Sequence, residues 1–172
     1  MKKVLLLCAI LAGAFTFSGY GDDSTQTEKV AITGFGGYTL GSKLNPEVIN
    51  QQMREKGYVR CKAKAQFRNF EKVVLFFTPK TFIIYEIVSD SKGRSSGEMA
   101  IIKASFEKKY KEKMESLFGF GDKYSITRGD RKILIEESPL NIRIRVFDEN
   151  LEKQKEKETE EIAKEQVDTT GL

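Results

Sequence analysis

The stretch that most constrains the fold of this chain is an apolar hairpin signature at residues 72–88. It reads Lys72-Val73-Val74-Leu75-Phe76-Phe77, then Thr78-Pro79-Lys80, then Thr81-Phe82-Ile83-Ile84-Tyr85-Glu86-Ile87-Val88. β-Branched and aromatic side chains fill both arms, and these fit a pleated, half-buried surface. Pro79 pre-sets φ for a turn and has no N–H to give a ladder, so the break falls there. Alternation along the second arm puts Phe82, Ile84, Glu86 and Val88 on one face and Ile83, Tyr85 and Ile87 on the other. Apart from Glu86 both sets are apolar, the pattern of a strand covered on both sides. The rest of the chain is expected to pack against it.

Upstream, Lys29 to Thr33 alternates like a short strand, and Gly34-Phe35-Gly36-Gly37-Tyr38-Thr39-Leu40-Gly41 follows. The glycine spacing is not that of a phosphate loop, and no Lys-Ser/Thr pair comes after it. The stretch reads as a loop at sheet level with Phe35, Tyr38 and Leu40 as anchors. Asn45-Pro46-Glu47 has the cap, the first-position proline and the early acid of a helix start, and Gly57 is placed to end that helix. In Cys61 to Phe67 the odd positions are apolar and the even ones polar, which marks a strand with one wet face. Ser95-Ser96-Gly97-Glu98 has the form of a capping box. Met99, Ile102, Phe106, Tyr110, Met114 and Leu117 then share one helical face, and Gly119 is the expected stop. A meander closes the body: Tyr124 to Thr127, a Gly129-Asp130 turn, Lys132 to Glu136, a Ser138-Pro139-Leu140-Asn141 turn, and Ile142 to Phe147 with Arg143 and Arg145 on its outer side.

These elements predict an α+β fold: a two-layer sandwich of an antiparallel meander sheet of five to seven strands, with two capped helices on one face. The order helix, three strands, helix, three strands suggests a helix-β-β-β pseudo-repeat, with a charged C-terminal helix after it. Residues 1–21 read as a signal peptide: Lys2 and Lys3 precede an apolar run from Val4 to Phe17, followed by small residues at cleavage spacing. Residues 22–28 read as a flexible mature N-terminus, 29–147 as a single domain, and 148–172 as a charged, solvent-exposed helical tail. The expected location is therefore outside the cytoplasm, periplasmic or extracellular. The alternative is retention by an uncleaved N-terminal segment; cleavage leaves no stable membrane anchor.

The 172 residues carry 29 basic and 25 acidic side chains. The tail from Asp148 holds nine acids against four lysines, so the basic excess sits in the body. A basic body suits anionic partners such as lipid headgroups or cell-wall polymers, or simply forms a solvated surface. Histidine is absent, which removes Ser-His and Cys-His nucleophile pairs and the commonest general base. Cys61 alone remains after the expected cleavage, so no internal disulfide or CxxC chemistry is available. No cofactor or metal motif is present. Adjacent Glu136 and Glu137 point to opposite faces of a strand and cannot share one substrate bond. Glu86, in a very apolar strand, needs a partner or a raised pKa if buried.

The stretch Thr39-Leu40-Gly41-Ser42-Lys43-Leu44-Asn45-Pro46-Glu47-Val48, in this order of elements, resembles the small envelope proteins of the outer-membrane assembly lipoprotein type (SmpA/OmlA) and the β-lactamase-inhibitor-like fold. That resemblance implies the fold, not the assembly role. The lipid-bearing cysteine of the family is replaced by Tyr20, and Gly57-Tyr58 stands where the family commonly has Gly-x-Pro.

The expected function is a non-catalytic binding or interaction protein of the bacterial cell envelope. Its surface would be the open sheet face, with Tyr85 and Ile87 as apolar contacts and Arg143 and Arg145 as a charged margin. The partner would be an envelope protein or a second copy; export argues against nucleic acid. The alternative is a small hydrolase acting on envelope polymers through paired carboxylates.

Overall fold

The computed structural model describes residues 29–93, 95, 97–117 and 122–170. The signal-peptide reading, the flexible segment at 22–28 and the expected helix stop at Gly119 lie outside them.

In chain order, a two-residue β1 (Gly34–Phe35) and β2 (Tyr38–Thr39) form a miniature hairpin. Helix α1 (Gln51–Lys56) precedes β3 (Tyr58–Phe67), β4 (Phe70–Phe77) and β5 (Ile84–Asp90). Helix α2 (Glu98–Tyr110) leads to β6 (Glu115–Leu117), β7 (Lys123–Arg128), β8 (Arg131–Glu137) and β9 (Ile142–Asp148), and α3 (Glu149–Thr170) follows. The main sheet has seven strands in the order β3-β4-β5-β9-β8-β7-β6, and every pairing is antiparallel. The α+β meander expected from the sequence is thus what the chain forms. The last strands of the two successive meanders, β5 and β9, meet at the centre of the sheet.

One face of the sheet is apolar from β3 to β7. Cross-strand partners align Val59, Leu75, Ile87, Val146, Ile133 and Ile126 in a single row. Met99, Ile102, Phe106 and Tyr110 of α2 are buried in the same core. Their spacing of three and four residues puts them on one side of the helix, as the sequence predicts. Phe106 stacks on Phe35 at 6.2 Å and meets Phe67 edge-on at 5.9 Å. The glycine-rich loop does work at sheet level: Leu40 is buried, and Phe35 and Tyr38 pack against the core.

Several local expectations change. Lys29 to Thr33 is not a strand; Ile32 enters the core from a non-regular segment, and its carbonyl accepts from Arg131 Nη1 at 2.9 Å. The first helix is broken in two. Asn45 caps a 3-10 turn at Pro46–Val48, Asn50 caps α1, and Gly57 ends it at φ +68°. No residue of α1 is buried, so α2 alone lays an apolar stripe on the sheet. Helix α2 stops at Tyr110, nine residues short of Gly119, with Lys111 at φ +53°. Met114 is still buried, but from a coil, and Leu117 belongs to β6. The capping box forms by half: Glu98 accepts from the Ser95 N–H at 3.2 Å, and its other oxygen accepts from Asn69 Nδ2 at 2.9 Å.

The largest correction concerns β5. The β4–β5 register shifts between Phe76 and Phe77: Phe76 pairs with Glu86, but Phe77 pairs with Ile84. Such a bulge breaks the period of two. Ile84 therefore joins Ile87 in the core, while Tyr85 and Glu86 both lie toward the outer face, where Tyr85 meets Phe76 with ring centroids 6.2 Å apart.

Candidate functional site

The outer face of the sheet is built from the other half of each alternation. Successive cross-strand rows read Tyr58, Phe76, Glu86, Phe147 and Lys132; then Arg60, Val74, Val88, Arg145 and Leu134; then Lys62 opposite Lys72, and Asp90, Arg143, Glu136 and Lys123 in register. It is the polar counterpart of the core face.

Three ion pairs neutralise its middle. Arg145 Nε lies 2.6 Å from Glu86 Oε1, and its guanidinium sits 5.2 Å from the Phe147 ring. Arg143 grips Asp90 with both arms of its fork, at 2.7 and 3.1 Å. Lys123 pairs with Glu136 at 3.1 Å. Arg143 and Arg145 thus lie on the outer side, as expected, but each is already engaged within the sheet. Glu86 is buried, and Arg145 supplies the partner such a carboxylate needs.

The apolar half of the expected interaction surface is not open. Ile87 is fully buried in the core between Leu75 and Val146, because its side chain points to the α2 side. A partner cannot reach it in the folded protein. Tyr85 does lie on the outer side, yet only 8% of it is exposed. Helix α3 packs against β5 and β9 at this end of the face. Burial, with Glu86 and Glu152 of α3 adding negative charge, pushes the Tyr85 hydroxyl up to about 12. The tail is therefore docked, not free. Asp148 caps α3 by accepting from the N–H groups of Asn150 and Leu151, and Glu158 is buried against the β4–β5 turn.

What the three ion pairs leave over is Lys132, on β8, and a cluster at the β3–β4 end. Arg60, Lys62 and Lys72 have no ion pair among the described residues, and all three are exposed. Lys62 and Lys72 stand directly opposite each other in the ladder. A like-charge pair in that position is destabilising. These residues line a shallow depression of about 530 Å³ together with Cys61 and Glu71. Glu71 is turned to Lys92, 2.5 Å away. Beside the cations, the half-buried rings of Tyr58 and Phe76 lie 5.6 Å apart. At the margin the Tyr38 hydroxyl donates to the Lys62 carbonyl at 3.0 Å, and burial, with Cys61 beside it, raises its pKa above the ordinary value. The alternation Arg60-x-Lys62-x-Lys64 was the signal for this cluster, since its wet face is wholly basic.

A second depression, of about 340 Å³, lies between α2 and β7–β8 and is bordered by Lys103, Asp122, Tyr124 and Glu137. Lys103 is committed to Glu107 at 3.4 Å and to the Tyr124 ring at 4.9 Å. Among the described residues no group of three His, Cys, Asp or Glu side chains is placed to hold a metal ion, and no helix is long and apolar enough to cross a membrane.

Comparison with protein-family models, with curated proteins and with solved structures returns no match to this chain.

Proposed function

We propose that the protein is a non-catalytic binding module of the cell envelope, and that it engages an anionic partner through the outer face of β3 and β4. The observation that carries this reading is the uncompensated trio Arg60, Lys62 and Lys72. On the same face Arg143, Arg145 and Lys123 are each matched to a carboxylate. Here two lysines face each other at a cost to stability that the fold does not offset. An anion seated between them would relieve the repulsion and gain charge-assisted hydrogen bonds.

Export carries the location, through the basic start and apolar run at the N-terminus. It also argues against nucleic acid as the anion. The resemblance to the envelope assembly proteins adds nothing to the choice of surface.

The test is a titration of the protein with inorganic polyphosphate, followed by calorimetry at low and high salt. Wild-type protein is expected to bind, with affinity falling as salt rises. Lys62→Glu/Lys72→Glu should abolish the interaction, while Lys108→Glu, on the exposed side of α2, should not. Equal binding by the two variants would refute the assignment.

A further inference from the structure

We infer that the anionic partner is a phospholipid surface. The inference rests on the reading above and narrows it to one source of negative charge.

The arrangement on β3 and β4 is graded. Three successive outward pairs are Tyr58 with Phe76, Arg60 with Val74, and Lys62 with Lys72. The patch thus runs from two aromatic rings, through an aliphatic–guanidinium pair, to two ammonium groups. Tyr58, Phe76 and Val74 are each half-buried, so one side of each remains available. A bilayer interface has the same grading: a hydrocarbon boundary where aromatic rings settle, and a phosphate layer above it. Arg and Lys stems can lie along the apolar region while their charged heads reach the phosphates.

The alternative source of anionic groups is a polymer such as an acidic polysaccharide. A chain of sugars needs a groove with neutral hydrogen-bonding side chains to read its hydroxyls. The depression beside these cations is lined by Arg60, Cys61, Lys62, Glu71 and Lys72, with no Asn, Gln, Ser or Thr among them. It offers charge and ring surface, not hydroxyl recognition. Strand β3 is an edge strand, and the β1–β2 hairpin covers it through the Lys64 N–H to Gly36 carbonyl bond at 2.9 Å.

Each Lys or Arg near an anionic leaflet is worth about a fivefold gain in partition. Three cations give on the order of a hundredfold, so the association is weak, reversible and sensitive to salt.

The experiment compares full-chain protein on phosphatidylglycerol–phosphatidylcholine vesicles and on pure phosphatidylcholine vesicles, by co-sedimentation at low and high salt. The apolar run at residues 4–17 would bind both vesicle types, and Lys2 and Lys3 before it would favour the anionic one, so the readout is the part of the ratio that depends on Lys62 and Lys72. The expected ratio is at least about tenfold at low salt, falling toward one at high salt. It should drop about thirtyfold, or to one, in Lys62→Gln/Lys72→Gln, and at least as far in Lys62→Glu/Lys72→Glu, with circular dichroism showing both variants folded. A wild-type ratio of one overturns the lipid assignment. If polyphosphate binding that depends on Lys62 and Lys72 survives that result, the basic face stands and only its partner was wrong. If it does not, both readings fall. A high ratio unchanged in the double variants also overturns the inference, because the lipid would then be held elsewhere.

Discussion

Glu158 Oε2 accepts the backbone N–H of Lys80 at 2.7 Å, joining groups 78 residues apart in the chain. The same oxygen takes the Thr81 N–H at 3.1 Å, and Oε1 takes Thr81 Oγ1 at 2.6 Å and Gln154 Nε2 at 2.8 Å. Two consecutive backbone N–H groups aimed at one oxygen form an anion-binding concavity. Thr78-Pro79-Lys80-Thr81 is shaped for this: Thr78 Oγ1 takes the Ile83 N–H, and Phe82 turns back at φ +57°. A single carboxylate thus fastens α3 to the central hairpin.

Replacing Glu158 by Ala leaves the N–H groups of Lys80 and Thr81 without their partner. The expected loss is about 1–3 kcal/mol, concentrated in the docking of α3 rather than in the core. Hydrogen exchange should show protection falling along α3 while β8 amides stay protected. Equal loss in both elements would mean that α3 is part of the global folding unit.

The same contact sets a pH dependence. Burial works to raise the Glu158 pKa, but the hydrogen bonds from Thr81, Gln154 and Lys80 outweigh it, and the folded value is lowered. A carboxylate with a depressed folded pKa contributes stability above its unfolded pKa and loses it as pH falls through the folded value. Docking of α3 should therefore be constant down to about pH 4.5 and weaken below it. Glu161 and Glu165 also pair with Lys80, at 3.0 and 2.7 Å, but are well exposed and weigh less. Exchange measured against pH should show the acid step in wild-type protein and a smaller one in Glu158→Gln. An undiminished step in that variant would assign the effect to the other carboxylates.

Two neighbouring arginines should differ in cost. Arg143 and Asp90 form an exposed pair, and such pairs contribute roughly 0–1 kcal/mol. The Glu86 side chain is only 11% exposed, so Arg145→Ala strands a nearly buried carboxylate and should cost about 1–3 kcal/mol. Denaturant melts of the two alanine variants measure the difference. A larger loss for Arg143→Ala would reverse the assignment of the buried pair.

Phe106 is buried beside Phe35, Phe67 and Tyr110. Phe106→Ala should cost about 3–5 kcal/mol by denaturant melt. A loss below about 1 kcal/mol would mean that α2 does not pack on the sheet through this face.

The β1–β2 turn admits no side chain. A Cβ on Gly37 would lie 2.5 Å from Lys64 Cβ, and one on Gly36 would lie 2.8 Å from Val73 Cγ1, both at positive φ. Gly37→Ala should destabilise by about 1–2 kcal/mol and loosen the hairpin from β3. Unchanged stability would show that the hairpin is not firmly seated.

The hairpin at 72–88 and the Met99–Tyr110 stripe were legible because burial on one or both faces writes its period into the sequence. The bulge at Phe76 and Phe77 was not. In a strand apolar on both faces an extra residue leaves no break in the pattern, so strict alternation puts Tyr85 and Ile87 on one face when they occupy two. The end of α2 was hidden for a related reason: Met114 and Leu117 keep the helical spacing but are placed by a coil and a strand. The basic alternation of Arg60, Lys62 and Lys64 was visible, yet its meaning depended on which cations the sheet neutralises. That required the β5–β9 pairing, which brings Asp90 to Arg143 across 53 residues. Glu158 looks like any other acid of a charged tail; only the turn that it enters distinguishes it.

The central claim is that Lys62 and Lys72 face each other for binding and not for folding. Lys72→Glu separates the two directly, measured as unfolding free energy and polyphosphate affinity on the same sample. It replaces a repulsive cross-strand pair by an attractive one, so stability should rise by about 0.2–1 kcal/mol while affinity collapses. Reduced stability with unchanged affinity would contradict the account, because the lysine pair would then serve the fold and the anion would bind elsewhere.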